Sequence, residues 1–209
     1  MPVAVQALPY LAGLLAAATI AGWLAGAWLA VPLVLLAGFV VFFFRDPARV
    51  SPAGEGLVVS PADGRVTEVE RRADGARISI FLSLFNCHIN RAPLAATVMS
   101  VTHTPGRFLP AWDRRVAREN ERNHLELRAA DGDYGVTQIA GILARRIVCS
   151  RKPGDVVARG ERIGLIQFGS RTDLHLPAGV EPVVQVGDRV RGAVTVLARR
   201  ALASQRAAS

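Results

Sequence analysis

The chain has 209 residues, 51% of them hydrophobic and 20% charged, with two cysteines and a formal net charge of +8. This composition excludes a disordered chain, which is poor in apolar residues, and a disulfide-built scaffold, which is rich in cysteine. The charge calls for an anionic partner. The basic residues are scattered between apolar runs and form no nucleic-acid-binding motif, so an anionic membrane surface fits better than nucleic acid.

Residues 8–44 hold no Asp, Glu, Lys or Arg over 37 positions. A helical membrane span needs about 17–25 apolar residues, so the stretch is too long for one straight span and just short of two. Breaks at residues 22–26 and at Pro32 predict a tight helical hairpin with Trp23 and Trp28 near an interface. One long tilted span with an interfacial segment is the alternative. A secretory signal has a basic start and an apolar core of about 7–15 residues, and neither fits. Arg45-Asp46-Pro47-Ala48-Arg49 follows at once. Basic residues there predict a membrane-associated chain with its polar part on the cytoplasmic face. Residues 1–44 are therefore expected to form the anchor, and 45–209 one β-rich domain.

After the anchor the pattern turns to short apolar runs, at residues 57–59, 77–82 and 147–149, separated by Gly, Pro and Asp. Asp63-Gly64, Asp74-Gly75 and Asp131-Gly132 carry hairpin chemistry. A helical pattern fits only residues 107–118, and weakly. Residues 153–161, which begin Pro-Gly-Asp, are echoed by residues 186–192, Val-Gly-Asp-Arg-Val-Arg-Gly. Two such hammerhead elements resemble the lipoyl and biotinyl carriers. The expected fold is mainly β, an antiparallel β-sandwich with such hammerheads.

Cys87 and Cys149 lie far apart and outside any CxxC, which suits a reducing compartment. His88 beside Cys87 lacks the further spaced ligands of a zinc site, so no metal is expected. Lys152 is the single lysine and its surroundings do not resemble a pyridoxal site.

Phe168-Gly169-Ser170-Arg171 closes an apolar run. Glycine has no Cβ to obstruct attack on its carbonyl and tolerates strained backbone. The Ser170 hydroxyl can therefore attack the Gly169 carbonyl and turn the peptide bond into an ester. That shift needs a base for the hydroxyl and donors for the oxyanion. Elimination would then release a chain ending at Gly169 and leave a group that hydrolyses to a ketone. A histidine held by a carboxylate could be the base. As an isolated dipeptide, however, Gly-Ser is far more often an ordinary turn.

Three separated segments together resemble the phosphatidylserine decarboxylase family, in its short bacterial and archaeal branch. Ser60-Pro61-Ala62-Asp63-Gly64 looks like the family's aspartate motif, and Phe85-Asn86-Cys87-His88-Ile89-Asn90-Arg91-Ala92-Pro93 like its histidine motif. The third is Phe168-Gly169-Ser170-Arg171, with Ala144-Arg145-Arg146-Ile147 and Arg159-Gly160-Glu161-Arg162 upstream. Asn120-Glu121-Arg122-Asn123 matches a further segment, and the resemblance covers nearly all of residues 45–197.

The resemblance implies that Ser170 becomes a covalent pyruvoyl group and Gly169 the end of the large chain, 1–169. The small chain, 170–209, would stay associated with it. Asp63 and His88 would assist self-cleavage, and His88, with an imidazole pKa ordinarily near 6.5, would transfer the proton in decarboxylation. The substrate would be phosphatidylserine in the membrane, joined through its amine as a Schiff base, and the products phosphatidylethanolamine and CO2. Neither pyridoxal phosphate nor a metal is implied. Asn90, Arg91 and Arg171 are candidate substrate contacts. Arg91 stands where the long branch has a second histidine; it cannot act as a base, but its guanidinium can hold a carboxylate or phosphate. His103 is the reserve imidazole, and His124 and His175 fit structural roles better. Rival readings are an archaeal ether-lipid decarboxylase, a non-enzymatic membrane-tethered lipoyl-like adaptor, and a hydrolase using Ser170, His88 and Asp63. Homo-oligomerisation is left open.

Overall fold

The computed structural model describes residues 2–109, 115–141, 146–167 and 170–200, with Ser170 by its backbone alone. The chain divides into two compact units, Met1–Ala48 and Arg49–Ser209.

The first unit is a helical hairpin. A 3-10 turn (Val5–Ala7) leads into α1 (Leu8–Ala25), and α2 (Ala27–Phe43) follows after one residue. That residue, Gly26, has φ 91°, a left-handed conformation open to glycine because it lacks a Cβ. Pro32 lies inside α2 and does not end it. The far ends are tied together, with Ala4 N–H donating to Phe44 O and Asp46 N–H to Pro2 O, both at 2.8 Å. Residues Val5–Ala25 are long and apolar enough to cross a membrane, while Ala27–Phe43 is apolar but shorter. Trp23 and Trp28 flank the turn and are 87% and 72% exposed. The break expected from sequence thus falls at Gly26 alone.

The second unit is β-rich. β1 (Leu57–Val59), β2 (Gly64–Arg72), β3 (Gly75–Leu82), β4 (Ile89–Arg91) and β5 (Ala96–Thr104) precede a single helical turn, α3 (Val116–Glu119). β6 (Arg122–Ala129), β7 (Gly132–Ile139), β8 (Arg146–Cys149), β9 (Val156–Val157) and β10 (Arg162–Gln167) follow. β11 (Ser170–Pro177), β12 (Val180–Pro182), β13 (Arg189–Val190) and β14 (Val196–Arg200) close the unit. The strands form an eight-stranded sheet in the order β13-β2-β3-β11-β7-β6-β5-β9 and two three-stranded sheets, β4-β10-β8 and β1-β14-β12. Pairing between these strands is antiparallel throughout.

Alternation along the long strands explains which face is covered. Ile78, Ile80 and Leu82 of β3, Val66 of β2, Leu125 and Leu127 of β6, Val136 of β7 and Leu174 and Leu176 of β11 are buried in one apolar cluster. Successive side chains point to opposite faces, so the intervening Arg77, Arg171 and Glu68 are left to pair with one another on the other face.

Two of the three Asp-Gly signals turn hairpins: Asp74-Gly75 joins β2 to β3, and Asp131-Gly132 joins β6 to β7. Asp63-Gly64 does not. Gly64 opens β2 where the chains run so close that a Cβ would strike the Phe81 carbonyl. The expected helix over 107–118 is reduced to α3, and residues 110–114 lie outside the described residues. The internal echo becomes two matching edge turns. Val98 N–H donates to Asp155 O and Gly154 N–H to Val98 O; in the same way Val66 N–H donates to Asp188 O and Gly187 N–H to Val66 O. In both turns the aspartate carboxylate accepts from the amide three residues earlier, Lys152 and Gln185. The two segments therefore end opposite edges of the eight-stranded sheet, β9 and β13.

Candidate active site

β10 belongs to one sheet and β11 to another, and only Phe168 and Gly169 separate them in sequence. Those two residues, and Ala144 and Arg145 of the upstream motif, lie outside the described residues. Ser170 opens β11 in register with Leu82, the last residue of β3. The chain continues from Leu82 into a tight turn. There Ser83 N–H and Oγ donate to Asn86 Oδ1 at 2.8 and 2.7 Å, and Asn86 N–H returns to Ser83 O at 3.0 Å.

That turn delivers His88. The residue is 2% exposed, and its carbonyl accepts from Ile166 N–H at 3.2 Å, which fastens it to β10 just before the Gly-Ser bond. Its Nδ1 lies 3.0 Å from Asn86 O. A carbonyl oxygen can only accept, so this contact puts the proton of the neutral ring on Nδ1 and makes Nε2 the basic nitrogen. On the Nδ1 side the imidazole is thus oriented by a backbone carbonyl.

Asp63, just before β2, is held by other groups. Its Oδ1 accepts from Gly192 N–H at 2.7 Å and its Oδ2 from Arg49 Nη2 at 2.8 Å. Asp63 and Asn86 share the wall of one cavity.

The three candidate substrate contacts are engaged by the protein. Asn90 is fully buried; its Nδ2 donates to Thr172 Oγ1 at 3.1 Å, and its Oδ1 accepts from Gln138 Nε2 at 2.9 Å. Gln138 Oε1 in turn accepts from Asn123 Nδ2 at 3.1 Å. This buried amide chain links β4 to β6, β7 and β11, and it grips β11 two residues past Ser170. Arg91 is 7% exposed and donates from Nη1 to Gly160 O at 3.0 Å. Arg171 is bound by Asp173 at 2.6 Å and by Glu68 at 2.9 Å. Replacing Asn90 with Ala leaves Gln138 and Thr172, both fully buried, without this partner. The expected cost is about 1–3 kcal/mol in denaturant unfolding.

The remaining histidines lie elsewhere. His103 is exposed on β5 beside Glu121, at 3.2 Å. His124 and His175 meet edge to face, their rings 5.5 Å apart, and both bond Thr137 Oγ1, at 2.8 and 3.1 Å. Burial pushes the His175 imidazole down to about 4 and lowers His124 as well. The unfolded chain, with an ordinary imidazole near 6.5, takes up protons first on acidification. Stability is complete above about 6.5 and falls as the pH drops from there towards 4. The drop in Tm between pH 7 and pH 5 is expected to be smaller in His175→Gln than in the wild type.

Asn86 and Arg49 were not among the residues singled out from the sequence. Asn86 sits inside the histidine motif, but its use depends on the Ser83 turn, which spacing does not encode.

The chain matches the family model described as phosphatidylserine decarboxylase over residues 36–198. It is 46% identical to a protein of Ruegeria pomeroyi named phosphatidylserine decarboxylase proenzyme, with 84% of each chain covered. Identity is 47% to the protein of that name from Nitratidesulfovibrio vulgaris, covering 90% of each, and 44% to that of Ralstonia nicotianae, covering 94% of each.

Proposed function

The chain belongs to the phosphatidylserine decarboxylase family, and from that membership we propose how it is processed and how it releases CO2 from the serine head group of phosphatidylserine. It is a carboxy-lyase made as a proenzyme, and its product lipid is phosphatidylethanolamine. The relatives' names favour this substrate over an archaeal ether lipid, and an enzyme over an adaptor.

In the proposed processing, Ser170 Oγ attacks the Gly169 carbonyl while His88 Nε2 takes the hydroxyl proton. The C–N bond breaks and an ester forms. Removal of the residue-170 Cα proton then expels the Gly169 carboxylate, and water releases ammonia from the remaining enamine, leaving a ketone. The observation that carries this reading is the meeting of His88 with both strands at the junction. Its carbonyl is bonded to Ile166 of β10, and its loop starts at Leu82, opposite Ser170.

The site fits a group formed in place from Ser170. β11 pairs with β3 on one side and β7 on the other, so a cut before it leaves the new N-terminus held. β13 and β14 pair with β2 and β1, which supports a small chain that stays bound to the large one. The pyruvoyl group supplies the electron sink for loss of CO2, work that pyridoxal phosphate does in other enzymes. His88 is then the proton donor to the head-group α-carbon. Asp63, fixed by Arg49 and the Gly192 amide, places its carboxylate in the wall it shares with Asn86, whose carbonyl meets His88. Asn90, Arg91 and Arg171, engaged by protein groups, hold the strands that frame the site.

The apolar N-terminal helix supports membrane association, and Arg45 and Arg49 favour the cytoplasmic face. A diacyl substrate stays in the bilayer, so an anchored enzyme meets it at high effective concentration.

Mass spectrometry of the purified chain, together with lipid turnover, tests the proposal. The expected species are a chain ending at Gly169 and a blocked fragment from position 170 to Ser209, with conversion of phosphatidylserine to phosphatidylethanolamine. An intact, fully active chain would overturn it.

A further inference from the structure

A cavity of about 520 Å3 opens where β2 begins and β3 ends, and its wall includes Asp63, Ser83, Asn86, Arg65, Arg189 and Arg191. Its size is that of a small-molecule site, about 300–1,000 Å3. Two wall residues, Ser83 and Asn86, form the turn that orients His88.

The charge in this wall is unbalanced. Arg65 and Arg189 lie directly opposite one another across the β2–β13 pair. Like charges so placed destabilise a sheet. Among the described residues, the guanidiniums of Arg65, Arg189 and Arg191 form no ion pair and no hydrogen bond, while the Arg191 N–H donates to Thr195 Oγ1. The one carboxylate in the wall, Asp63, is already taken by Arg49 and the Gly192 amide. On neighbouring strands of the same sheet Arg77 and Arg171 are matched: Arg77 meets Glu68, Glu70 and Asp173, and Arg171 meets Glu68 and Asp173. Three unmatched arginines in the wall of one cavity form a site for an anion with several oxygens, since each planar guanidinium fork can bond two of them.

We infer that this cavity binds the phosphodiester of the lipid head group, with Arg65 and Arg189 as a clamp and Arg191 beside them. The inference rests on the reading of the chain as a phosphatidylserine decarboxylase. β2 lies two strand spacings, about 10 Å, from β11. Arg65 pairs with Phe81 and Phe81 with Arg171, so the clamp lies level with the residue after Ser170, and an arginine side chain and the phosphoserine head group together span the distance to the head of β11. These three arginines are distinct from Arg91, the residue whose guanidinium was expected from sequence to hold a carboxylate or phosphate. The clamp grips a group that does not change in the reaction, so it contributes to binding and leaves the chemical step alone.

The test uses the self-processed full chain in neutral detergent micelles and the double variant Arg65→Ala/Arg189→Ala. Both side chains are exposed, and completed self-cleavage of the variant reports that it has folded. The expected result is a KM for phosphatidylserine raised about tenfold or more, with kcat nearly unchanged. A second arm measures binding of soluble glycerophosphoserine by calorimetry, without turnover or a membrane surface. Its Kd is expected to rise by a similar factor in the double variant. An unchanged Kd overturns the inference. So does a KM rise seen only with added anionic lipid and without a change in Kd, which would mean that the arginines serve the membrane surface. A wild-type chain that binds the probe through these arginines but leaves phosphatidylserine intact would sink the decarboxylase reading and leave the anion site standing.

Discussion

Ser170→Ala is expected to leave the chain at its full length and to abolish CO2 release. The substitution removes one oxygen, but that oxygen is the only one placed by sequence to attack the Gly169 carbonyl. Without attack no ester forms, residue 170 keeps its amide, and no ketone appears at the head of β11. The loss is therefore total in two assays at once. Gel mobility or intact mass shows a single species, and lipid turnover falls to background, a drop of at least about 10^6-fold given ordinary enzymatic accelerations. The fold should survive, because what β11 contributes at this point is backbone pairing with Leu82. Stability within about 1 kcal/mol of the unprocessed wild type is the matching control. Ser170→Cys keeps a nucleophile and should cleave partly and slowly. A Ser170→Ala protein that still separates into two chains would show that another residue makes the cut.

The residues that could be read from sequence are those whose signal is local. The apolar run at 8–44 announces helices because nothing in it can face water comfortably, and Gly26 marks the reversal because only there does the backbone turn left-handed. Asp74-Gly75 and Asp131-Gly132 make hairpins because each lies between two strands of eight or nine residues that pair along their length. Asp63-Gly64 has the same chemistry, but the strand before it, β1, pairs with β14 rather than with β2, so it serves as an entry to β2. The candidate site was legible as three motifs, but their joining was not. It depends on β4 and β10 pairing across more than seventy residues and on a Ser83–Asn86 turn that brings a backbone carbonyl to His88 Nδ1. The amide chain Asn90–Gln138–Asn123 was hidden for a similar reason. Polar residues inside strands look like solvent-facing positions until a second sheet covers them.

His88→Gln is expected to slow self-cleavage by about 10^2–10^4-fold, the usual worth of a placed general base. Glutamine retains a side chain of similar reach and a donor that can still meet Asn86 O, so the Ser83–Asn86 turn should persist. What it lacks is the basic Nε2. The unprocessed chain should accumulate and convert slowly, and added imidazole should speed its conversion. The small fraction that does mature should still release CO2 poorly, because the same nitrogen is proposed to return a proton to the head-group carbon. Asp63→Asn provides the contrast. Its oxygen can still accept from Gly192 N–H, but the charge that pairs with Arg49 is gone. Loss of one half-buried pair should lower stability by about 1 kcal/mol and slow processing less than His88→Gln does. If Asp63→Asn proves the more damaging, the carboxylate acts on the hydroxyl or the ring directly. The Asn86 carbonyl would then be a structural contact rather than the group that sets the tautomer. If His88→Gln matures at the wild-type rate, the base lies elsewhere on the rim.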